Sequence, residues 1–192
     1  MNTPLLLSGP TKIIRDAARA AKRTVELTIE RVTVGTLSSL LGLPGMVVTE
    51  YALEKRGEGE VLHIFCDHEQ EVGLCPRCGR ATTAVHEREE RCIRHLDIWG
   101  KATFVHFPAR RFDCGPCQQP FTEELSWLES KRRESTAYEL HVYEQCQHTD
   151  QAAVAEQEGL HPETVKLIFQ RWAKRAEEQH RRSLVRCLGV DE

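Results

Sequence analysis

The 192-residue sequence holds no run near the roughly 18 apolar residues that a membrane-spanning helix needs, which excludes such a span. It has no positive charge between the initiating Met1 and Leu5-Leu6-Leu7, and Gly9-Pro10 follow at once, so the start does not read as a secretory signal. Basic residues are not in surplus. Twenty-six Lys and Arg face 29 Asp and Glu, a net charge of −3, which argues against a uniformly basic nucleic-acid binder. There is no internal repeat, no low-complexity tract and no HExxH pair, so solenoids and the common zinc-hydrolase helix are set aside. Leu, Ile, Val and Phe are plentiful and the charges are mixed, which removes wholesale disorder. The length allows one large domain or two to three small ones.

What the sequence does have is eight cysteines. Without an export signal they point to thiolate metal ligation or free buried thiols, not to a disulfide framework. Four of them form two pairs, Cys75-Pro76-Arg77-Cys78 and Cys114-Gly115-Pro116-Cys117, with 35 residues between the pairs. Zinc takes four such ligands in a tetrahedron, and two residues between cysteines let one tight turn present both sulfurs. Gly79 and Gly115 supply the backbone freedom those turns need. A redox dithiol would need a βαβ setting, which is missing; plain burial of the cysteines is the other reading. The expected ion is a closed, structural zinc on Cys75, Cys78, Cys114 and Cys117. His86, His95 and His106 lie in the spacer and read as surface or strand histidines. Cys66, Cys92, Cys146 and Cys187 read as free buried thiols.

Around this pattern, residues 12–34 have helical spacing, with Ile13, Ile14, Ala17, Ala18, Ala21, Val25 and Ile29. Met46 to Leu53 and Val61 to Cys66 read as a hairpin with a long polar loop. Cys92 to Leu96 and Lys101 to Phe107 read as a second hairpin that Pro108 confines to an edge or ends. Residues 122–130 read as an acidic connector. From about Ser135 the pattern is helical. Ala137, Leu140, Val142 and Tyr143 mark a first helix. Thr149-Asp150 caps a second, which Gly159 breaks, and His161-Pro162 opens a third. Val165, Ile168, Phe169, Trp172, Ala173 and Ala176 form the apolar stripe of that third helix.

A helix, a glycine corner and a helix are the layout of a helix-turn-helix, whose second helix enters the major groove. Ala153 and Val154 would pack inward. His161, Glu163, Thr164, Lys166 and Gln170 would then face DNA, with Lys174 and Arg175 near phosphates. Arg110-Arg111, Lys131-Arg132-Arg133 and Arg181-Arg182 are further phosphate candidates. An ordinary helical hairpin fits the same pattern, and the near-neutral charge favours it. The expected fold is α+β: a helical extension over 1–36, a β-hairpin and zinc-ribbon domain over 37–130, and an all-α helix-turn-helix domain over 131–183.

These residues resemble a known family. Leu-Leu-Gly-Leu-Pro-Gly, Cys-Pro-Arg-Cys-Gly, Arg-His-Leu-Asp-Ile-Trp-Gly, Arg-Arg-Phe-Asp-Cys-Gly-Pro-Cys, Phe-Thr-Glu and the closing Leu-Gly-Val-Asp-Glu occur in that order. Together they resemble the amino-terminal part of insertion-sequence transposases of the ISL-three family, over residues 37–192. The resemblance implies double-stranded DNA as partner, namely the element's terminal inverted repeats, in the cytoplasm and at the bacterial nucleoid. It also implies that Asp191 is the first of three carboxylates, Asp-Asp-Glu, of an RNase H-like domain that binds Mg or Mn in a complete family member. Residues 184–192 would be the first strand of that domain. The sequence departs from the family pattern by stopping one residue after Asp191, so the expectation is a truncated, frameshifted or split transposase, inert alone. A homodimer or a separately encoded catalytic part would then be its partner. A zinc-ribbon protein-interaction adaptor is the alternative, favoured by the acidic 36–74 segment.

Overall fold

The computed structural model describes residues 27–30, 41–57 and 59–182. They fall into two compact units that divide between Ser135 and Thr136. The second unit was expected to start at residue 131. Instead, Lys131–Ser135 completes the first: the Arg94 N–H donates to Arg133 O at 2.8 Å, and the Ser135 N–H donates back to Arg94 O at 2.9 Å.

The first unit is built on a sheet in the order β1-β2-β3-β7-β6. Its strands are β1 (Leu27–Glu30), β2 (Met46–Arg56), β3 (Gly59–His68), β6 (Val85–Ile98) and β7 (Lys101–Cys114). All neighbours are antiparallel except β3 and β7, which run parallel with Val61 opposite Ala102. A short β8 (Gln119–Thr122) extends the sheet beside the end of β7. Beside it, β4 (Gly73–Leu74) and β5 (Ala81–Thr82) form a separate two-stranded pair.

Several expectations change here. Leu27–Glu30, placed inside a helix, is a strand paired with β2, Leu27 opposite Glu54. Leu27-Thr28-Ile29 suits a pleated surface, and an available neighbouring strand outweighs a weak helical period. The rest of the helix expected over 12–34 lies outside the described residues. The β2–β3 loop is also tight, since Arg56 pairs directly with Gly59. Pro108 does not stop β7, which continues six residues further to Cys114. The carbonyl of Pro108 accepts from His68 Nε2 at 2.7 Å on the β3 side, and β3 stops pairing with β7 at His106. A residue's N–H and C=O face the same side of a strand, so the missing N–H of Pro108 breaks no ladder bond.

One face of the sheet carries the core: Met46, Val48, Leu62, Ile64, Cys66, Ile93, Val105 and Phe107, closed by Trp127 and Leu128. Trp127 meets Phe107 edge-on at 5.2 Å. The segment read as an acidic connector therefore supplies two core side chains, Trp127 and Leu128. On β2, β3 and β7 a polar row also forms: Glu54 Oε2 lies 2.9 Å from His63 Nε2, and His63 Nδ1 lies 2.9 Å from His106 Nε2. Burial, aided by the charge of His63, lowers the His106 pKa to about 4.

The second unit contains α1 (Thr136–Gln145), α2 (Gln151–Glu158) and α3 (Pro162–Arg182). Tyr138, Val142, Val154, Ala155, Val165 and Ile168 are its buried apolar side chains. On α1 the inward face is Tyr138, Glu139 and Val142, while Ala137 and Leu140 are exposed. On α2 it is Val154 and Ala155, and Ala153 is exposed. Both stripes are rotated from those expected. The cause on α1 is Glu139, only 1% exposed. Its carboxylate accepts from Arg171 Nη2 at 2.5 Å and from Trp172 Nε1 at 3.3 Å. Those partners satisfy an inward charge that a helical period alone would place outside.

Candidate zinc centre and nucleic-acid interface

Each CxxC occupies the turn of a short antiparallel pair. Cys75–Cys78 joins β4 to β5, and Cys114–Cys117 joins β7 to β8. The two turns are built alike. Gly79 N–H donates to Cys75 O at 2.8 Å, and Gln118 N–H donates to Cys114 O at 2.8 Å. The residue after each pair takes a left-handed conformation, with φ 69° at Gly79 and 51° at Gln118. Gly115 was expected to supply that freedom in the second turn, but the left-handed position falls on Gln118. Arg77 ties the turns together, donating to the carbonyls of Gln119 at 3.2 Å and Pro120 at 3.1 Å.

The four sulfurs lie within 4.8 Å of one another. Cys75 and Cys117 Sγ are 3.8 Å apart, and Cys78 and Cys114 Sγ are 3.5 Å apart. A zinc tetrahedron with arms of about 2.3 Å has edges of roughly 3.8 Å, so the cage fits this ion. Its electrostatics lead to the same conclusion. Burial opposes ionisation of Cys75, yet the N–H groups of Cys78 and Arg77 directed at its sulfur lower its pKa to about 6. The sulfurs of Cys78 and Cys114 push Cys117 up to about 12. One thiolate is thus favoured locally, and four together require a dication among them. Phe112 and Phe121, stacked at 5.7 Å, pack beside Cys75 and Cys114 and complete a small dry cluster.

No histidine of the spacer joins the cage. His86 is paired with Asp113 at 3.1 Å, His95 is buried against Ser135 Oγ at 2.8 Å, and His106 belongs to the polar row. Of the single cysteines, Cys66 is buried, with its pKa raised to about 12 by that burial. Cys92 is exposed and Cys146 half-buried, contrary to expectation. Cys92 is on β6 opposite His106, its Sγ 3.6 Å from His106 Nε2, and Cys146 just follows α1. Cys187 lies outside the described residues.

In the helical unit, Asp150 caps α2 by accepting from the N–H groups of Ala152 and Ala153, both at 3.0 Å. Gly159 ends the helix with φ 64°, and Leu160 N–H donates to Ala155 O at 2.9 Å. This left-handed closure bends the chain sharply, which a side chain at that φ would oppose. After Leu160, His161 caps α3: its Nδ1 accepts from the Glu163 N–H at 3.2 Å. Three residues therefore separate the helices, as in a helix-turn-helix.

Of the side chains expected at DNA, His161, Glu163, Lys166, Gln170 and Lys174 are exposed, and Thr164 and Arg175 are half-buried. Glu163 holds Lys166 at 3.3 Å. Arg175 lies over the ring of Trp172 at 5.0 Å. Sequence reasoning passed over Leu167, which is exposed among these polar residues. Its signal was an apolar residue off the inward stripe. Arg110, by contrast, is no phosphate ligand. It is 3% exposed and its guanidinium donates to Glu123 at 2.9 and 2.7 Å and to Gln70 O at 2.7 Å. Arg111, Lys131 and Arg133 are exposed and Arg132 is half-buried. The side chains of Arg181 and Arg182, and the whole of Asp191, lie outside the described residues.

Comparison with known proteins agrees with this geometry. Residues 71–117 match the zinc-finger of transposase IS204/IS1001/IS1096/IS1165. Residues 123–173 match the helix-turn-helix domain of transposase family ISL3. The chain is 29% identical over 134 residues to the transposase for insertion sequence element IS1001 of Bordetella parapertussis. That match covers 70% of this chain and 33% of the relative, so the chain spans about a third of the relative's length. No solved structure matches the chain. None of the helices among the described residues is long and apolar enough to cross a membrane. The chain carries the amino-terminal zinc-finger and helix-turn-helix part of the ISL3 transposase family.

Proposed function

We propose that this chain is the DNA-holding part of a transposase and that it binds the terminal inverted repeats of its element through α3. The supporting observation is the Gly159-Leu160-His161 corner, which leads into a helix with exposed Glu163, Lys166, Gln170 and Lys174. Such side chains on a helix of this motif reach base edges and phosphates. The zinc on Cys75, Cys78, Cys114 and Cys117 is structural: all four positions are taken by protein sulfur, which leaves none for a reacting water. Strand transfer by Asp191 and further carboxylates on Mg or Mn belongs to the whole transposase as the family resemblance describes it.

Fluorescence anisotropy with zinc-loaded protein and the element's own repeat tests the reading. Affinity should exceed that for scrambled duplex and fall steeply with salt as phosphate contacts release counterions. Lys174→Ala should weaken both duplexes and lower the salt slope by about one, whereas Gln170→Ala should narrow the gap between them. Equal affinity for both duplexes would refute end recognition.

A second reading, a protein-interaction surface, has its own support. Trp99 is 74% exposed at the β6–β7 turn with φ 53°. A bulky residue held left-handed at a hairpin tip is unfavourable for folding alone. A nuclease-resistant partner that is lost on Trp99→Ala would establish that reading instead.

A further inference from the structure

The stripe that α3 turns outward is not wholly polar. Leu167 stands in it 46% exposed, between Glu163 and Lys166 on one side and Gln170 on the other. It does not belong to the inward face, whose buried side chains are Val165 and Ile168. Position 167 follows Glu163 by four residues and precedes Gln170 by three and Lys174 by seven, so all four share one helical face. Base contacts in a groove-reading helix have this spacing of three, four and seven. Glu163, Lys166, Gln170 and Lys174 can exchange hydrogen bonds or charge with DNA. Leucine can do neither. Its gain from a duplex can only come from covering apolar surface, and the one apolar group in the major groove is the C5-methyl of thymine.

We infer that Leu167 is a specificity-determining residue that packs against a thymine methyl in the bound duplex. This rests on the reading of α3 as the groove-entering helix. The geometry fits a short, unpolarised side chain halfway along the exposed stripe, with Lys174 exposed further along it. Readout of this kind separates thymine from cytosine at one position, which the charged neighbours of Leu167 cannot do through a methyl group.

The test uses the full zinc-loaded chain. Duplexes are first selected from a random-sequence pool. Each thymine of the enriched duplex is then replaced singly by deoxyuridine, which removes only the methyl group. At one position the parent protein should lose about fourfold in affinity, the effect of one methyl group left uncovered. Leu167→Ala should lose that sensitivity at that position alone, and Leu167→Met should keep it. Thermal melting of both variants should match the parent, since the side chain is exposed. If no substitution by deoxyuridine matters, or if Leu167→Ala is as sensitive as the parent, the inference falls although DNA binding stands. If no duplex is enriched at all, the underlying reading of α3 fails, and the inference with it.

Discussion

The zinc-bearing end of the first unit and the helical unit solve the same problem in opposite ways. Each has few buried side chains. At the zinc end these are Phe112, Phe121 and two of the sulfurs, with Val85 and Cys117 partly buried beside them. That is too little apolar surface to hold two turns from opposite ends of a 35-residue spacer, so a metal must fasten them. The helical unit has six buried apolar side chains from three helices that are close in sequence. It also keeps a charge inside, Glu139 against Arg171 and Trp172. One region is fastened by coordination across a long chain separation. The other is held by local helix signals and by buried polar contacts, of which Glu139 with Arg171 is the most enclosed.

The largest expected effect follows directly from that contrast. Chelation of zinc should remove on the order of 10 kcal/mol from the zinc end. Amide exchange should then become fast over residues 73–85 and 111–122 and stay slow in the helical unit. Equal loss in both units would break the comparison.

Next comes Glu139→Ala, which leaves the Arg171 guanidinium without its carboxylate. A loss of about 3–5 kcal/mol is expected in the helical unit, read from thermal melting, with zinc content unchanged. A loss below about 1 kcal/mol would mean that the buried carboxylate is no anchor.

The polar row of the sheet gives a pH signature. His106 is held at about 4, below the ordinary 6.5, by burial and by the charge of His63. Above pH 6.5 it is neutral whether folded or unfolded, so it has no effect there. Below 6.5 the unfolded chain takes up a proton that the folded chain refuses. Stability therefore falls as pH drops towards 4, by up to about 3 kcal/mol. Acid also releases zinc, so the direct check is a ring-proton NMR titration, in which His106 should stay neutral well below pH 6.

The smallest effect is at the corner. Asp150→Ala removes acceptors from two N–H groups at the start of α2 and should cost about 1 kcal/mol, read from urea unfolding of the helical unit.

What could be read in the sequence was what depends on neighbours in the chain. The two cysteine pairs, the Asp150 cap, the Gly159 break and the Pro162 start are all set within a few residues, and the structure places each as expected. What escaped depends on partners far away. The parallel pairing of β3 with β7 brings Val61 beside Ala102. β7 runs through Pro108 only because β3 has already stopped pairing. Trp127 and Leu128 look like connector residues until Phe107 and the sheet are beneath them. The inward face of α1 was misplaced because Leu140 looks like core and Glu139 does not. The second is buried only because Arg171 lies opposite, 32 residues along the chain. Arg110 reads as a phosphate candidate in the sequence for the same reason, since Glu123 comes to it across the β7–β8 pair.

The most direct test of the account is X-ray absorption at the zinc edge of protein purified without added metal. The account predicts one zinc per chain, bound by four sulfurs at about 2.3 Å, with a sulfur lost in any single Cys→Ser variant at positions 75, 78, 114 or 117. Nitrogen or oxygen in the parent's first shell, or folded protein with no zinc, would contradict it.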